Sequence, residues 1–183
     1  MTDHVNASPG MVSGSLSAVT LSAQSVIDLL GLARHPTCGF VAETYRSSIR
    51  VQAYGGDRSL GSALYFLVTP EAPVVLHRIR SDQQYHHYLG DALHVLLLNP
   101  DGSASTRVVG ADLAGGERPL LFIPGGTFHT ARLAPGATFA LLASTEWPGV
   151  EPADVEICDD ERLAMLSPAQ RTALVEFRAC GYG

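Results

Sequence analysis

The stretch Leu76–Asp91, LHRIRSDQQYHHYLGD, decides how the chain is read. It carries three of the seven histidines, His77, His86 and His87, together with Arg78, Arg80, Asp82, Gln83, Gln84, Tyr85 and Tyr88. Apolar runs flank it, ALYFLV before and ALHVLLL after. A polar, imidazole-rich segment between two strand-like runs is a candidate site on a rigid scaffold. A second stretch, IPGGTFHTAR at 123–132, contributes His129. The expectation is that the two stretches face one another across a barrel.

Working outward, the flanks repeat one pattern. Strands are expected over Ser62–Val68, Val74–Ile79, Asp82–Leu89, Ala92–Leu98, Thr106–Val109, Pro119–Ile123, Thr127–Leu133 and Ala137–Ser144. Turn residues separate them, including Thr69–Pro73, Gly90-Asp91, Asn99-Pro-Asp-Gly102 and Pro124-Gly125-Gly126. The last two strands are expected to form a hairpin around Ala134-Pro135-Gly136. Short strands at this spacing indicate a sandwich or closed barrel. The chain's 18 glycines and 11 prolines agree with many turns. Upstream, Ser22 and Gly31 cap a short helix whose Val26, Leu29 and Leu30 are expected to dock on a sheet. Phe40–Tyr45 reads as a strand, and Ser47–Gly61 as a loop with one short strand. Ser167-Pro168 opens a C-terminal helix with an apolar face of Leu174, Val175 and Phe177.

Composition bounds the function. A chain of 183 residues with 46% hydrophobic and 16% charged residues is long enough for one domain with a real core. The organisation expected is a tail over 1–20, one domain over 21–158, and an extension with a helix over 159–183. A net charge of −6 with scattered arginines and no lysine cluster argues against a nucleic-acid surface. No apolar run approaches a membrane span, and the N-terminus lacks the pattern of a signal peptide. Cys38, Cys158 and Cys180 are odd in number and far apart, so a reducing, cytoplasmic setting is expected. Cys38 reads as a buried, inert thiol rather than a reactive one.

The resemblance follows from the motifs. His77 through Gly90, then Pro124, Gly126 and His129, resemble the two motifs of the cupin superfamily. The first of these carries two histidines, a glutamate, and a glycine seven residues after it; Gln83 and Gly90 have that separation. The chain also resembles one small, poorly characterised cupin family. The stretches that carry this are HP-x-x-GF with ETYRS (His35–Ser47), LYFL (Leu64–Leu67), HR-x-x-SD (His77–Asp82), H-x-YLGDAL (His86–Leu93), NPDG (Asn99–Gly102), G-x-DL-x-GERP (Gly110–Pro119), IP-x-G (Ile123–Gly126), AR (Ala131-Arg132) and PG at Pro148. The resemblance implies an all-β fold, the cupin double-stranded β-helix or jelly-roll barrel, with short helices at each end. It also implies a homodimer, with Phe40–Thr44 as a candidate exchanged strand. The chain departs from that family at Gln83, where Glu is usual, at Thr37-Cys38 for Glu-Gly, at Tyr85 for Trp, and at His129, where Gln is common.

Two chemistries fit these residues. In one, His77, Gln83, His86 or His87, and His129 hold one divalent metal, with Fe, Mn, Ni or Zn suiting imidazole and oxygen donors. Strand alternation places Gln83, Tyr85 and His87 on one face and His86 on the other, while the family pattern favours His86. A bulge near Ser81 or Gln84 would reverse the faces. In the other, His77 oriented by Asp82 is a general base, with Tyr85 or Tyr88 as the acid and His129 completing the catalytic group. Arg78 or Arg132 then holds a substrate anion. His35, Glu43, Gln83, His86, Tyr88 and Phe128 complete the substrate-binding candidates. On composition alone His35, Glu43, Tyr45 and Arg46 read as structural pairs before pocket wall. The function expected is a small-molecule enzyme doing proton-transfer chemistry (epimerisation or isomerisation, dehydration or cyclisation) in specialised metabolism. The alternative is a non-catalytic small-molecule-binding cupin.

Overall fold

Among the described residues the turn-punctuated pattern gives thirteen strands and three α-helices. A computed structural model describes residues 21–179, so the expected tail and Cys180 lie outside the described residues. The order is α1 (Ala23–Leu30), β1 (Ala33–Arg34), β2 (Phe40–Arg46), β3 (Arg50–Ala53), β4 (Gly56–Ser59), β5 (Ser62–Val68), β6 (Val74–Ile79) and β7 (Asp82–Gly90). Then come β8 (Leu93–Leu98), β9 (Ala104–Val109), β10 (Leu120–Ile123), β11 (Phe128–Leu133), β12 (Ala140–Trp147), β13 (Val155–Ile157), α2 (Asp160–Met165) and α3 (Pro168–Ala179).

Two antiparallel sheets stack face to face, giving the jelly roll that the pattern and the resemblance imply. One has the order β1-β2-β5-β12-β7-β10, the other β13-β6-β11-β8-β9. The chain changes sheet at most turns, which is how a jelly roll buries two inner faces with one core. Two expectations fail here. Residues 134–139 do not close a hairpin: β11 pairs with β6 and β8, while β12 pairs with β5 and β7. The Asp91 carboxylate instead accepts the amides of Thr138 and Phe139, delaying β12 to Ala140 as the chain crosses between sheets. And 47–61 holds two strands, β3 and β4, joined at Tyr54 and Gly55, both with positive φ. That is the φ pattern of a two-residue hairpin turn.

The core sits between the sheets. Phe66, Val68, Tyr85 and Leu142 from the first meet Val74, Val95, Ala131 and Leu133 from the second. Each buried side chain of this size contributes roughly 1.5–3 kcal/mol. The unbroken run LHVLLL has a second reason: Leu96 and Leu98 point outward onto Leu166, Leu174 and Phe177 of the C-terminal segment. A strand buried on both faces loses its polar alternation.

The helices follow their caps but not every expected face. Ser22 accepts from the Ser25 amide, and Gly31 closes α1 in the left-handed region. Val26 is buried against Leu67, Phe139 and Leu141, whereas Leu29 and Leu30 are exposed. Ser167 caps α3 by accepting the Gln170 amide, and Leu174 and Phe177 are buried, but Val175 faces solvent. Gly90 carries φ 82° and leaves no room for a Cβ against the Phe139 carbonyl, which accounts for glycine at that motif position. No described helix is long and apolar enough to cross a membrane.

Candidate functional site

Alternation on β5, β7 and β12 sends one set of side chains into the barrel mouth. Gln83 and Tyr85 point inward from β7, and Ser144 and Glu146 from β12, where Ser144 pairs with Tyr85 and Glu146 with Gln83. His77 enters from β6 on the facing sheet. Together they line a cavity of about 490 Å³. Val41, Leu64, Phe66, Ile79, Val155 and Ile157 make its apolar wall. His35, Glu43, Arg46 and Glu151 also line it, from β2 and the segments next to it and to β13.

His77 and His129 are cross-strand partners on β6 and β11, not groups facing one another across the barrel. Their ring centroids lie 4.4 Å apart. Each Nδ1 sits on a carbonyl oxygen, His77 on Val75 at 2.7 Å and His129 on Thr127 at 3.1 Å. A carbonyl only accepts, so both Nδ1 atoms carry the proton and both Nε2 atoms are acceptors in the neutral rings. Burial lowers the pKa of His77, and burial with the neighbouring His77 lowers that of His129 to about 3.

The two rings have different fates. The His129 Nε2 accepts the Tyr85 hydroxyl at 3.0 Å and faces the Gln83 amide nitrogen at 3.4 Å. His129 is fully buried and absent from the cavity wall. Tyr85 is likewise buried, and burial holds its phenol protonated well above the ordinary value. Among the described residues the His77 Nε2 has the Cys38 thiol, at 3.9 Å, as its one hydrogen-bonding neighbour, and both residues line the cavity. Burial pushes the Cys38 thiol up to about 11, so it is no nucleophile at neutral pH, in keeping with the inert reading.

Glu146 was not among the sequence candidates. It is 5% exposed and takes a hydrogen bond from the Ser62 hydroxyl at 2.7 Å. Burial raises its pKa, with Ser144 and Ser62 pulling partly the other way. Counting by twos from Leu142 along β12 finds it: Leu142, Ser144 and Glu146 share the inner face.

Several expected members lie elsewhere. Asp82 does not orient His77; its carboxylate accepts the Gly125 amide at 2.8 Å and pins the Pro-Gly-Gly turn. His86 points out of the barrel to Thr145 at 3.1 Å, because β7 runs regularly past Gln83 and Tyr85; its bulge comes later, opposite Leu141/Leu142. His87 donates to the Asp91 carbonyl at 3.0 Å and is not on the cavity wall. Tyr88 is exposed and packs edge-on against Tyr65. Arg78 lies over the Phe128 ring and pairs with Glu156, and Phe128 packs under the C-terminal helices. Arg132 donates to the Phe177 and Leu133 carbonyls. His35, Glu43 and Arg46 do line the cavity, and Arg46 is also paired with Glu43 and Glu151. Pairing and pocket wall thus coexist there, while Tyr45 is exposed.

A divalent metal, which the cupin resemblance implies, does not fit this donor set. With His86 and His87 outside, two neutral imidazoles and one amide remain of the expected donors, and the His129 lone pair already takes the Tyr85 hydroxyl. Among the described residues no three His, Cys, Asp or Glu side chains come together as a metal-holding group.

Comparison with known proteins agrees with the fold. A hypothetical protein from Leishmania major has a solved structure that superposes with a TM-score of 0.77 at 29% identity, covering 86% of this chain and 98% of that one. A protein from Shewanella oneidensis gives 0.75 at 30% identity, covering 86% and 96%. An uncharacterized protein of Saccharomyces cerevisiae is 25% identical over 177 residues, 84% of each chain. The sequence profile described as Cupin superfamily (DUF985) matches residues 24–158, and on that match the chain belongs to this cupin family.

Proposed function

We propose that the barrel binds a small organic molecule and moves a proton on it, with His77 as the base and Glu146 as the acid. The observation that carries this reading is the pairing of roles in one cavity. His77, held neutral with its Nε2 lone pair facing inward, shares the wall with a carboxyl that burial biases towards its protonated form. Two titratable groups displaced towards each other's range are suited to withdrawing a proton and returning one. Gln83, Tyr85 and Ser144 line the same cavity, and its apolar wall suits the carbon skeleton of a small organic molecule. This chemistry serves an isomerase, a dehydratase or a cyclase acting next to a carbonyl.

The test is solvent exchange. Incubation of 2-octanone with the protein in deuterium oxide, followed by proton NMR, is expected to show loss of α-protons faster than buffer alone. His77→Ala is expected to reduce that rate about 10²-fold or more, and Glu146→Gln similarly, the usual scale of a general acid or base. An exchange rate unchanged in His77→Ala refutes the reading. No exchange above buffer, with 2-octanone still bound, leaves the cavity as a binding site without catalysis.

A further inference from the structure

The charges around the cavity are arranged in a way that its fold does not require. Arg46 is the only arginine among the described residues lining it, and the chain contains no lysine. That guanidinium is fully engaged. Its Nε donates to Glu43 at 3.0 and 3.2 Å, and its Nη2 donates to Glu43 at 2.5 Å. Its Nη1 donates to Glu151 at 3.2 Å and to the Val150 carbonyl at 3.3 Å. The imidazoles supply no cation either. His35 accepts the Thr37 amide and hydroxyl at Nδ1, and burial holds both His35 and His77 below the ordinary histidine value. The two arginines that sequence reasoning offered as anion holders, Arg78 and Arg132, are on other surfaces.

A carboxylate or phosphate entering this cavity would lose its water, meet no free cation, and approach the surplus acid of Glu43 and Glu151. Uncompensated burial of a charge is costly enough that such ligands are rejected. An apolar wall with its polar groups gathered at His77, Gln83, Ser144 and Glu146 suits the opposite kind of molecule. The volume, about 490 Å³, falls within the span of roughly 300–1,000 Å³ common to small-molecule sites.

We infer that the cavity selects an uncharged, largely apolar small molecule whose carbonyl or hydroxyl head sits among His77, Gln83 and Glu146, and that the Glu43–Arg46–Glu151 cluster enforces this by masking the one cation at the wall. The inference rests on the reading of the barrel as a small-molecule site. It deepens that reading by fixing the ligand's charge class.

Ligand-observed NMR titration with octan-1-ol, 2-octanone and octanoate at pH 7.5 tests it. Both neutral probes are expected to bind, and octanoate at least tenfold more weakly. Glu43→Gln combined with Glu151→Gln releases Arg46, and octanoate is then expected to gain at least tenfold relative to octan-1-ol. Octanoate binding wild type as tightly as octan-1-ol overturns the inference, as does failure of both neutral probes to bind. The wild-type series alone decides if the double variant does not fold. Loss of proton exchange with the neutral preference intact counts against the catalytic reading only; loss of the preference with exchange intact counts against this inference only.

Discussion

His129 offers the most quantitative check on the interior. It is wholly buried, its Nδ1 donates to Thr127, its Nε2 accepts from Tyr85, and its pKa falls from 6.5 to about 3. In the unfolded chain it titrates near 6.5, so below that pH the unfolded state binds a proton that the native state refuses. Stability is therefore fully present above pH 6.5 and is lost as pH falls towards 3. At pH 5 the gap is 1.5 pH units, worth about 2 kcal/mol. The perturbation is His129→Gln, whose amide oxygen can still accept the Tyr85 hydroxyl and which does not titrate. Urea unfolding at pH 7 and pH 5 for both proteins gives a double difference from which other titrating groups largely cancel. The drop from pH 7 to pH 5 is expected to be about 2 kcal/mol smaller in the variant, roughly 4–8 °C in Tm for a chain of this size. An equal drop in both proteins would show that His129 is not held neutral, and the orientation argument for its neighbour His77 would fall with it.

Two further outcomes are expected. Arg58 and Asp154 form an ion pair with side chains only 13% and 0% exposed, so Asp154→Asn should lower Tm clearly more than Asp57→Asn in the half-exposed Arg50–Asp57 pair, which should cost less than about 1 kcal/mol. Equal Tm shifts in the two variants would contradict the burial argument. Gln83→Glu combined with Tyr85→Phe supplies a carboxylate beside His129 and frees its Nε2, and should raise zinc or manganese retention after dialysis, measured by plasma mass spectrometry, above that of wild type. The same metal content in both would show that the neutral amide and the Tyr85 hydroxyl are not what limit metal binding.

The strands were legible because their turns are marked by chemistry that acts locally. Asn99–Gly102 closes the hairpin between β8 and β9, and in the Pro124-Gly125-Gly126 turn a Cβ on Gly125 would strike the Arg80 carbonyl. Which strand pairs with which was not legible. Alternation tells a side chain's face but not its sheet, so Ala134–Gly136 looked like a hairpin although it joins two sheets. The same limit misplaced His77 and His129 across the barrel when they are neighbours on one sheet. His86 was put forward from the family pattern, against simple alternation from Gln83, and alternation was the better guide. Arg78 and Arg132 looked available because nothing in sequence reveals that Glu156 and the end of α3 reach them. Glu146 was missed for the reverse reason. A glutamate at the end of a strand, next to Trp147-Pro148, has the composition of a solvated edge, and only the inward phase set by Leu142 marks it as buried.

The central claim is that a carboxyl biased towards protonation shares the cavity with a neutral imidazole. Carbon-13 NMR titration of the side-chain carboxyls, with Glu146→Gln to assign the resonance, measures it directly. The account expects Glu146 to titrate above the ordinary glutamate value of 4.5, because burial outweighs the Ser62 and Ser144 hydrogen bonds. A midpoint at or below 4.5 would mean a carboxylate stabilised as the anion, and Glu146 would then have no proton to give.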